Sequence, residues 1–97
     1  MKVSGYSMLP TLYPDDILLL KNSSSLHAGD IAVLKINEDL FVVKRVRKII
    51  GTALEVVGDN RFCESSVALS SLRVETVIGK VLASCSLSRR PKISFYL

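Results

Sequence analysis

Few side chains in this chain could carry out nucleophilic chemistry, and their types do not favour catalysis by a histidine. The single histidine, His27, lies in a serine-rich polar tract, which is typical of a solvated loop. Neither a Ser-His-Asp triad nor a metal site is expected, because both would depend on this one imidazole. A nucleophile in this chain needs another base, and a lysine removed from water is the usual substitute.

Ser7 is the candidate nucleophile. It follows a glycine-containing turn at Gly5, and Pro10 lies three residues further on, where proline favours the first turn of a helical segment. Backbone N–H groups are unpaired at such a turn and can stabilise an oxyanion beside the serine hydroxyl. A serine that only caps a helix would show the same local pattern.

Lys44 is the candidate base, and its neighbours supply the reason. Side chains alternate between the two faces of a strand, so one face of the predicted strand 41–50 should carry Lys44 with four neighbours. These neighbours are Val42, Val46, Lys48 and Ile50. Burial of that face would lower the pKa of Lys44 towards the range in which an amine accepts protons at neutral pH. A strand-edge lysine with a packed stem and a solvated ammonium would also fit the pattern.

The segments that must position these residues are predicted to be strands. Aliphatic runs are separated by turn signals about every 8 to 12 residues, the spacing of an all-β sandwich or barrel. The predicted strands are Ile17–Lys21, Asp30–Ile36, Phe41–Ile50, Ala53–Val57 and Val77–Ala83, with a further candidate at Ile93–Leu97. The segment Cys63–Thr76 has no clean period and is predicted to be a loop with a short helical turn near Ser70–Val74.

Length, charge and cysteine usage limit the other functions that the chain could have. With 97 residues, 48% of them hydrophobic, the sequence predicts a single domain, residues 1–97. The net charge of +4 is scattered and accompanies no nucleic-acid-binding motif, so no nucleic-acid partner is expected. Cys63 and Cys85 lack metal-ligand spacing and are predicted to be two unlinked thiols. No secretion signal and no apolar run near the ~20 residues that cross a bilayer are visible, which favours a soluble, cytoplasmic protein.

Together, the serine and lysine segments resemble the signal peptidase I superfamily. Ser4–Leu12 is similar to that family's nucleophile motif, with Ser-Met-Leu-Pro-Thr matching at 7–11, and Val42–Val46 resembles the motif of its lysine base. Gly58, Asp59 and Asn60 resemble the Gly-Asp-Asn motif that follows. Two shorter matches occur in family order, at Gly29–Ile31 and Ile78–Val81. The resemblance covers roughly residues 3–83 and implies an all-β fold of the signal peptidase/LexA-like type with little helix.

The resemblance also implies roles for single residues. Ser7 would be the nucleophile and one backbone oxyanion donor, and Lys44 would be the general base. Gly5 stands where some members carry a serine that gives a further oxyanion donor, so that side-chain donor is absent here. Met8 would line the substrate cleft, and Pro10 belongs to the supporting motif. No cofactor and no metal ligand is implied.

One departure from the family pattern concerns the group that orients the lysine. After Gly-Asp-Asn the family usually continues with a serine and an Asp-Ser-Arg element. This chain reads Arg-Phe-Cys-Glu-Ser-Ser at 61–66, without the aspartate. Ser65 and Ser66 are the candidates for orienting Lys44.

The short form without a membrane anchor is most similar to the nickel-type superoxide dismutase maturation proteases. The resemblance implies a serine endopeptidase that removes a short N-terminal segment from a precursor, with nickel superoxide dismutase as the candidate partner. Three alternatives stay open: a self-cleaving LexA/UmuD-like peptidase, a soluble fragment of an anchored signal peptidase, and a non-catalytic peptide-binding relative. Self-cleavage needs a cleavage-site segment ahead of the serine, for which the six residues before Ser7 are expected to be too few.

Overall fold

The strands dominate the computed structural model, which describes residues 3, 5–22, 25–63, 69–86 and 92–96. Within these residues the chain forms seven β-strands and a 3₁₀ helix at Val74–Thr76. The strands are β1 (Ile17–Lys21), β2 (Ile31–Asn37), β3 (Leu40–Ile50), β4 (Ala53–Val57), β5 (Leu69–Arg73), β6 (Val77–Ser86) and β7 (Lys92–Phe95). The all-β fold expected from the sequence is therefore confirmed.

All strands of the described residues belong to one antiparallel sheet. The strand order is β1-β6-β2-β3-β4-β5, and β7 pairs with the far end of β6. Tight turns at 38–39 and 51–52 join β2 to β3 and β3 to β4, and Gly51 takes the positive φ (59°) that its turn requires. These hairpins place β3, which carries Lys44, between two partner strands.

The predicted strand bounds agree closely with the structure. Of the segment Cys63–Thr76, residues 64–68 lie outside the described residues, and the prediction for residues 69–76 was wrong. Part of that segment is the edge strand β5, and the helical turn is the 3₁₀ helix at Val74–Thr76 rather than Ser70–Val74. β5 exists because it pairs with the free edge of β4, and the register shifts between Leu54 and Val56. A strand specified by its partner and interrupted in register leaves no clean period in the sequence.

The predicted face of β3 is confirmed up to Val46 and wrong beyond it. Lys44 is 4% exposed and Val46 is 1% exposed. The pairing of β3 with β4 then shifts register between Val46 and Lys48. Because an extra residue reverses the faces that follow, Ile49 packs against the core while Lys48 and Ile50 are exposed.

Two apolar clusters lie on the two faces of β2. Alternation sends Ile31 and Val33 into one cluster and Ala32 and Leu34 into the other. The first cluster also holds five residues from outside β2: Val3, Met8, Leu12, Leu18 and Val81. The segment around Ser7 is thus anchored through Met8 and Leu12 in the core of the sheet.

The two cysteines are not joined by a disulfide, as the sequence predicts. Within the described ranges, no helix is long and apolar enough to cross a membrane.

Anchoring by Leu12 can be measured through stability. We expect Leu12→Ala to lower the free energy of unfolding by about 2–5 kcal/mol, because Leu12 has no exposed surface and its truncation leaves a cavity. Urea unfolding followed by circular dichroism measures the change. Leu19→Ala, at a side chain that points to solvent, is the control and should change stability by less than about 0.5 kcal/mol. Equal effects of the two substitutions would contradict the placement of Leu12.

Candidate active site

Residues 5–12, called here the serine loop, are a succession of turns. Gly5 has a φ of 80°, Leu9 N–H donates to the Tyr6 carbonyl (3.2 Å), and Leu12 N–H donates to the Met8 carbonyl (2.9 Å). The helical first turn predicted at Pro10 is wrong, since no helix forms here and the Leu9–Pro10 peptide bond is cis. The loop directs Met8 and Leu12 inward and leaves Ser7 half-buried.

Lys44 lies in the middle of β3, opposite Ala32 of β2. Burial against the second apolar cluster lowers the pKa of Lys44, because an ammonium group is stabilised by water that the cluster excludes. The thiol of Cys63, when ionised, acts in the opposite direction and raises the pKa of Lys44. The net pKa lies below the ordinary value, and the burial of Lys44 agrees with the face predicted from the sequence.

The turn at 58–60, called here the Gly-Asp-Asn turn, follows β4 and carries a charged link. Arg45 donates twice to the Asp59 carboxylate, from Nε to Oδ1 (3.2 Å) and from Nη2 to Oδ2 (2.7 Å). The Thr11 hydroxyl donates to the same Oδ2. Burial alone would raise the pKa of Asp59, but these hydrogen bonds outweigh it and leave the pKa below its ordinary value. One carboxylate therefore connects β3, the Gly-Asp-Asn turn and the serine loop.

Asn60 joins the Gly-Asp-Asn turn to the backbone on both sides of Ser7. Its amide Nδ2 donates to the Tyr6 carbonyl and its backbone N–H donates to the Ser7 carbonyl, each at 2.9 Å. Its side-chain Oδ1 accepts from Phe62 N–H (3.1 Å), and its carbonyl accepts from Cys63 N–H (3.1 Å). Backbone and side chain of one residue are thus engaged in fixing two loops against each other.

Hydrogen bonds join part of the set of residues singled out in the sequence, namely Asp59 and Asn60 with the serine loop. That loop holds Gly5, Ser7 and Pro10, and Gly58 precedes Asp59 in the Gly-Asp-Asn turn. Met8 is placed differently from the expectation of a cleft-lining side chain, because it is 2% exposed within the first apolar cluster. Ser65 and Ser66, the candidates for orienting Lys44, lie outside the described residues.

Sequence reasoning missed two residues that build the site, Arg45 and Thr11. Both stood inside the motifs that were recognised, one beside Lys44 and one after Pro10. The alternation of β3 was the available signal for Arg45, because its side chain must leave the strand on the face opposite to Lys44. Nothing in the spacing indicated that Asp59, 14 residues away from Arg45, would meet it.

The burial of Lys44 and the half-buried position of Ser7 bear on the chemistry that each could carry out. An amine whose pKa is lowered by burial accepts a proton at a lower pH than a solvated lysine does. A half-buried serine on an anchored loop remains within reach of a substrate. Within the described ranges, no group of three or more His, Cys, Asp or Glu side chains could hold a metal ion.

Comparison with known proteins gives one family. A family model described as Peptidase S24-like matches residues 1–82, a range that contains Ser7, Lys44 and the whole Gly-Asp-Asn turn. Searches of curated proteins and of solved structures gave no match. The family match supports the resemblance to the superfamily of signal peptidase-like and LexA/UmuD-like serine peptidases. It does not distinguish the nickel superoxide dismutase maturation proteases, which therefore stay a prediction.

The link through Asp59 can be tested with Asp59→Asn. We expect the free energy of unfolding to fall by about 1–3 kcal/mol, because hydrogen bonds to a charged group are lost and Arg45 loses its partner charge. The pKa of Asp59 is lowered on folding, so its contribution is complete above the unfolded pKa of about 4. This contribution of Asp59 to stability is lost as the pH falls through the folded pKa. Chemical denaturation from pH 7 down to pH 2 should therefore show a smaller acid loss in the variant than in the wild type.

Asp39→Asn, in the exposed turn between β2 and β3, is the matched control. An Asp59→Asn variant as stable as the Asp39→Asn variant at pH 7 would contradict the structural role of this carboxylate.

The desolvation of Lys44 predicts an alkaline effect. Because the folded pKa is lower than the unfolded value of about 10.4, the folded chain holds fewer protons between the two values. Wild-type stability should therefore rise with pH in that interval, by about 1.4 kcal/mol for each unit by which the pKa is lowered. Lys44→Met should lack this rise, whereas Lys48→Met, at an exposed lysine of the same strand, should keep it. Parallel stability profiles from pH 7 to 10.5 for wild type and Lys44→Met would show that the amine is not desolvated.

Proposed function

Because the chain belongs to the Peptidase S24-like family, we propose that it is a serine endopeptidase in which Ser7 is the nucleophile and Lys44 is the general base. The family match supports a serine peptidase function in the broad sense. The observation that carries the finer assignment is the burial of Lys44 in the centre of β3, with its pKa lowered by loss of water. A lysine kept only for surface charge would not be placed there, since burying an ammonium costs free energy.

The proposed reaction uses the dyad in two stages. Lys44 removes the hydroxyl proton of Ser7 as Oγ attacks the carbonyl carbon of the scissile bond. The protonated Lys44 then gives a proton to the leaving amine, and an acyl-enzyme remains on Ser7. In the second stage Lys44 activates water, which releases the acyl group and restores the serine. The anchoring of the Ser7 carbonyl by Asn60 supports this role, because a nucleophile must be held in position before it reacts.

The proposed substrate is an extended segment near the N-terminus of a precursor protein, with the nickel superoxide dismutase precursor as the first candidate. An extended segment can add to the protein as a further strand, which supplies backbone hydrogen bonds and leaves alternate side chains for pockets. The net charge of +4 would favour the approach of an acidic precursor, and salt should weaken that effect. Action in the cytoplasm belongs to the same proposal.

Self-cleavage is the second candidate function, and the family match is the observation that favours it. The Peptidase S24-like match includes the LexA/UmuD-like relatives, which cut their own chains. The family also includes non-catalytic members. If this chain were one of them, Ser7 and Lys44 would take part in no reaction.

Cleavage by the purified chain tests these candidates together. The chain is mixed with candidate precursors, without detergent or lipid, and new N-termini are mapped by mass spectrometry. We expect Ser7→Ala and Lys44→Met each to lower kcat/KM by about 10³-fold or more, and the double variant to be no worse, because the two groups act as a unit. Lys44→Arg should fail as well, since a guanidinium does not lose its proton. Lys48→Met is the control and should retain activity.

The dependence of kcat/KM on pH tests whether Lys44 is the general base. Wild-type kcat/KM should rise with an apparent pKa below 10.4 as Lys44 loses its proton. Near-normal turnover by Lys44→Met would overturn the assignment of the base. Fragments that come only from the enzyme's own chain would favour self-cleavage, and the absence of any cleavage would favour a non-catalytic role.

A further inference from the structure

A polar cavity lies where the serine loop meets the ends of β1, β6 and β7. Its volume is about 360 Å³, which is near the lower end of the range for small-molecule sites. Pro10 and Thr11 of the serine loop line it, and so do the charged residues Asp16 and Lys92. Neither member of the candidate dyad is among the lining residues, so the cavity is distinct from the candidate dyad.

The register of the sheet places the two charged residues of the cavity on either side of a serine. Lys92 of β7 pairs with Ser86 of β6. Asp16 comes one residue before Ile17, which pairs with Cys85 of β6. Since antiparallel partners step in opposite directions, Asp16 and Ser86 come next to each other at the end of this ladder. A negative and a positive side chain therefore flank a serine, with their backbones roughly 10 Å apart, which is two strand spacings.

Further hydroxyl groups line the same cavity. Ser84 pairs with Ser94 in the next row of the sheet, and both residues belong to the lining. Ser84 is buried, and its Oγ is hydrogen-bonded to the Tyr96 hydroxyl at 2.8 Å. Because a hydroxyl group can both donate and accept, this wall suits a ligand with polar groups of either kind.

Asp16 carries a charge that its local turn does not require. Its side chain is 4% exposed, and Oδ2 accepts from Tyr13 N–H at 3.0 Å. Among the described residues, Oδ1 has no hydrogen-bond partner and no cation forms an ion pair with Asp16. An asparagine could accept the same hydrogen bond from Tyr13 without burying a charge. A buried carboxylate without a counter-charge costs free energy, which a bound cation would offset.

We propose that this cavity binds a free α-amino acid as its zwitterion. The ammonium group of the ligand pairs with Asp16, and its carboxylate pairs with Lys92, which lies exposed on β7. Two carbon atoms separate the ammonium nitrogen from the carboxylate oxygens of an α-amino acid. A hydrogen bond of about 3 Å at each end extends this short span to nearly the distance across two strand spacings. Binding here is independent of the proposed function, because it involves no reaction of Ser7.

A bound ligand would contact the serine loop, because Pro10 and Thr11 line the cavity. The Leu12 amide donates to the Met8 carbonyl within that loop. Hydrogen exchange of the Leu12 amide should therefore slow when the ligand is bound. The amides of β4, which contributes no lining residue, should not change.

Isothermal titration calorimetry of the wild-type chain with each of the standard L-amino acids tests the proposal. We expect saturable binding of at least one of them. Two derivatives of that amino acid are the matched controls: its α-amide keeps the ammonium group and loses the carboxylate, and its N-acetyl form keeps the carboxylate and loses the ammonium group. Each derivative should bind with a Kd about tenfold higher or more, because one hydrogen-bonded charge pair is lost.

Two variants assign the ends of the ligand. Asp16→Asn should raise the Kd of the amino acid about tenfold or more. It should not lower the Tm of the ligand-free chain, because it removes a buried charge and keeps the acceptor for Tyr13. Lys92→Met should raise the Kd of the amino acid but leave that of its α-amide unchanged. Asp39→Asn and Lys21→Met, at exposed positions, are the controls and should leave both values unchanged.

Several results would overturn the amino-acid site. These are the absence of saturable binding by any standard amino acid, an unchanged Kd in Asp16→Asn, and equal Kd values for the amino acid and its α-amide. Displacement of the ligand by potassium chloride but not by tetramethylammonium chloride would assign the carboxylate to a metal cation and overturn the proposal as well. Amino-acid binding that depends on Asp16 and Lys92, in a chain that cleaves no peptide, would support the site and count against the proposed function alone.

Discussion

Arg45 and Asp59 form a bidentate ion pair between the centre of β3 and the turn after β4. Thr11 donates a third hydrogen bond to the same carboxylate. Exposed ion pairs contribute little to stability, but this pair is partly buried and its geometry is bidentate. Its main effect is positional, because it couples the loop that carries Ser7 to the strand that carries Lys44. Asn60, the next residue, extends the coupling to the carbonyl of Ser7 itself.

Because side chains alternate between the two faces of β3, the adjacent residues Lys44 and Arg45 have different surroundings. Lys44 turns towards the second apolar cluster and loses water, while Arg45 turns away and meets Asp59. The first orientation costs stability, since a buried amine opposes its own protonation, and the second recovers some of it through charge-assisted hydrogen bonds. A strand is well suited to this division, because a helix would place neighbouring side chains only about 100° apart.

The local sequence pattern predicts some features of the fold and the candidate site but not others. The strands around Lys44 and its burial were predictable, because aliphatic alternation and turn residues act over a few positions. The edge strand β5 was not, because its pairing with β4 determines it. The bulge after Val46 and the turns at Pro10 also left no signal in the alternation of apolar residues. The importance of Asp59 and Asn60 came only from the family resemblance. Their hydrogen bonds to Thr11, Tyr6 and Ser7 span about fifty residues of chain.

Formation of an acyl-enzyme tests the central assignment most directly. The wild-type chain is mixed with a peptide activated as a 4-nitrophenyl ester, quenched in acid at short times, and analysed by intact mass and by peptide mapping. The account predicts a single acyl group on Ser7, formed faster as Lys44 loses its proton with rising pH and formed hardly at all in Lys44→Met. An acyl group on another residue, or equal rates of Ser7 acylation in wild type and Lys44→Met, would contradict it.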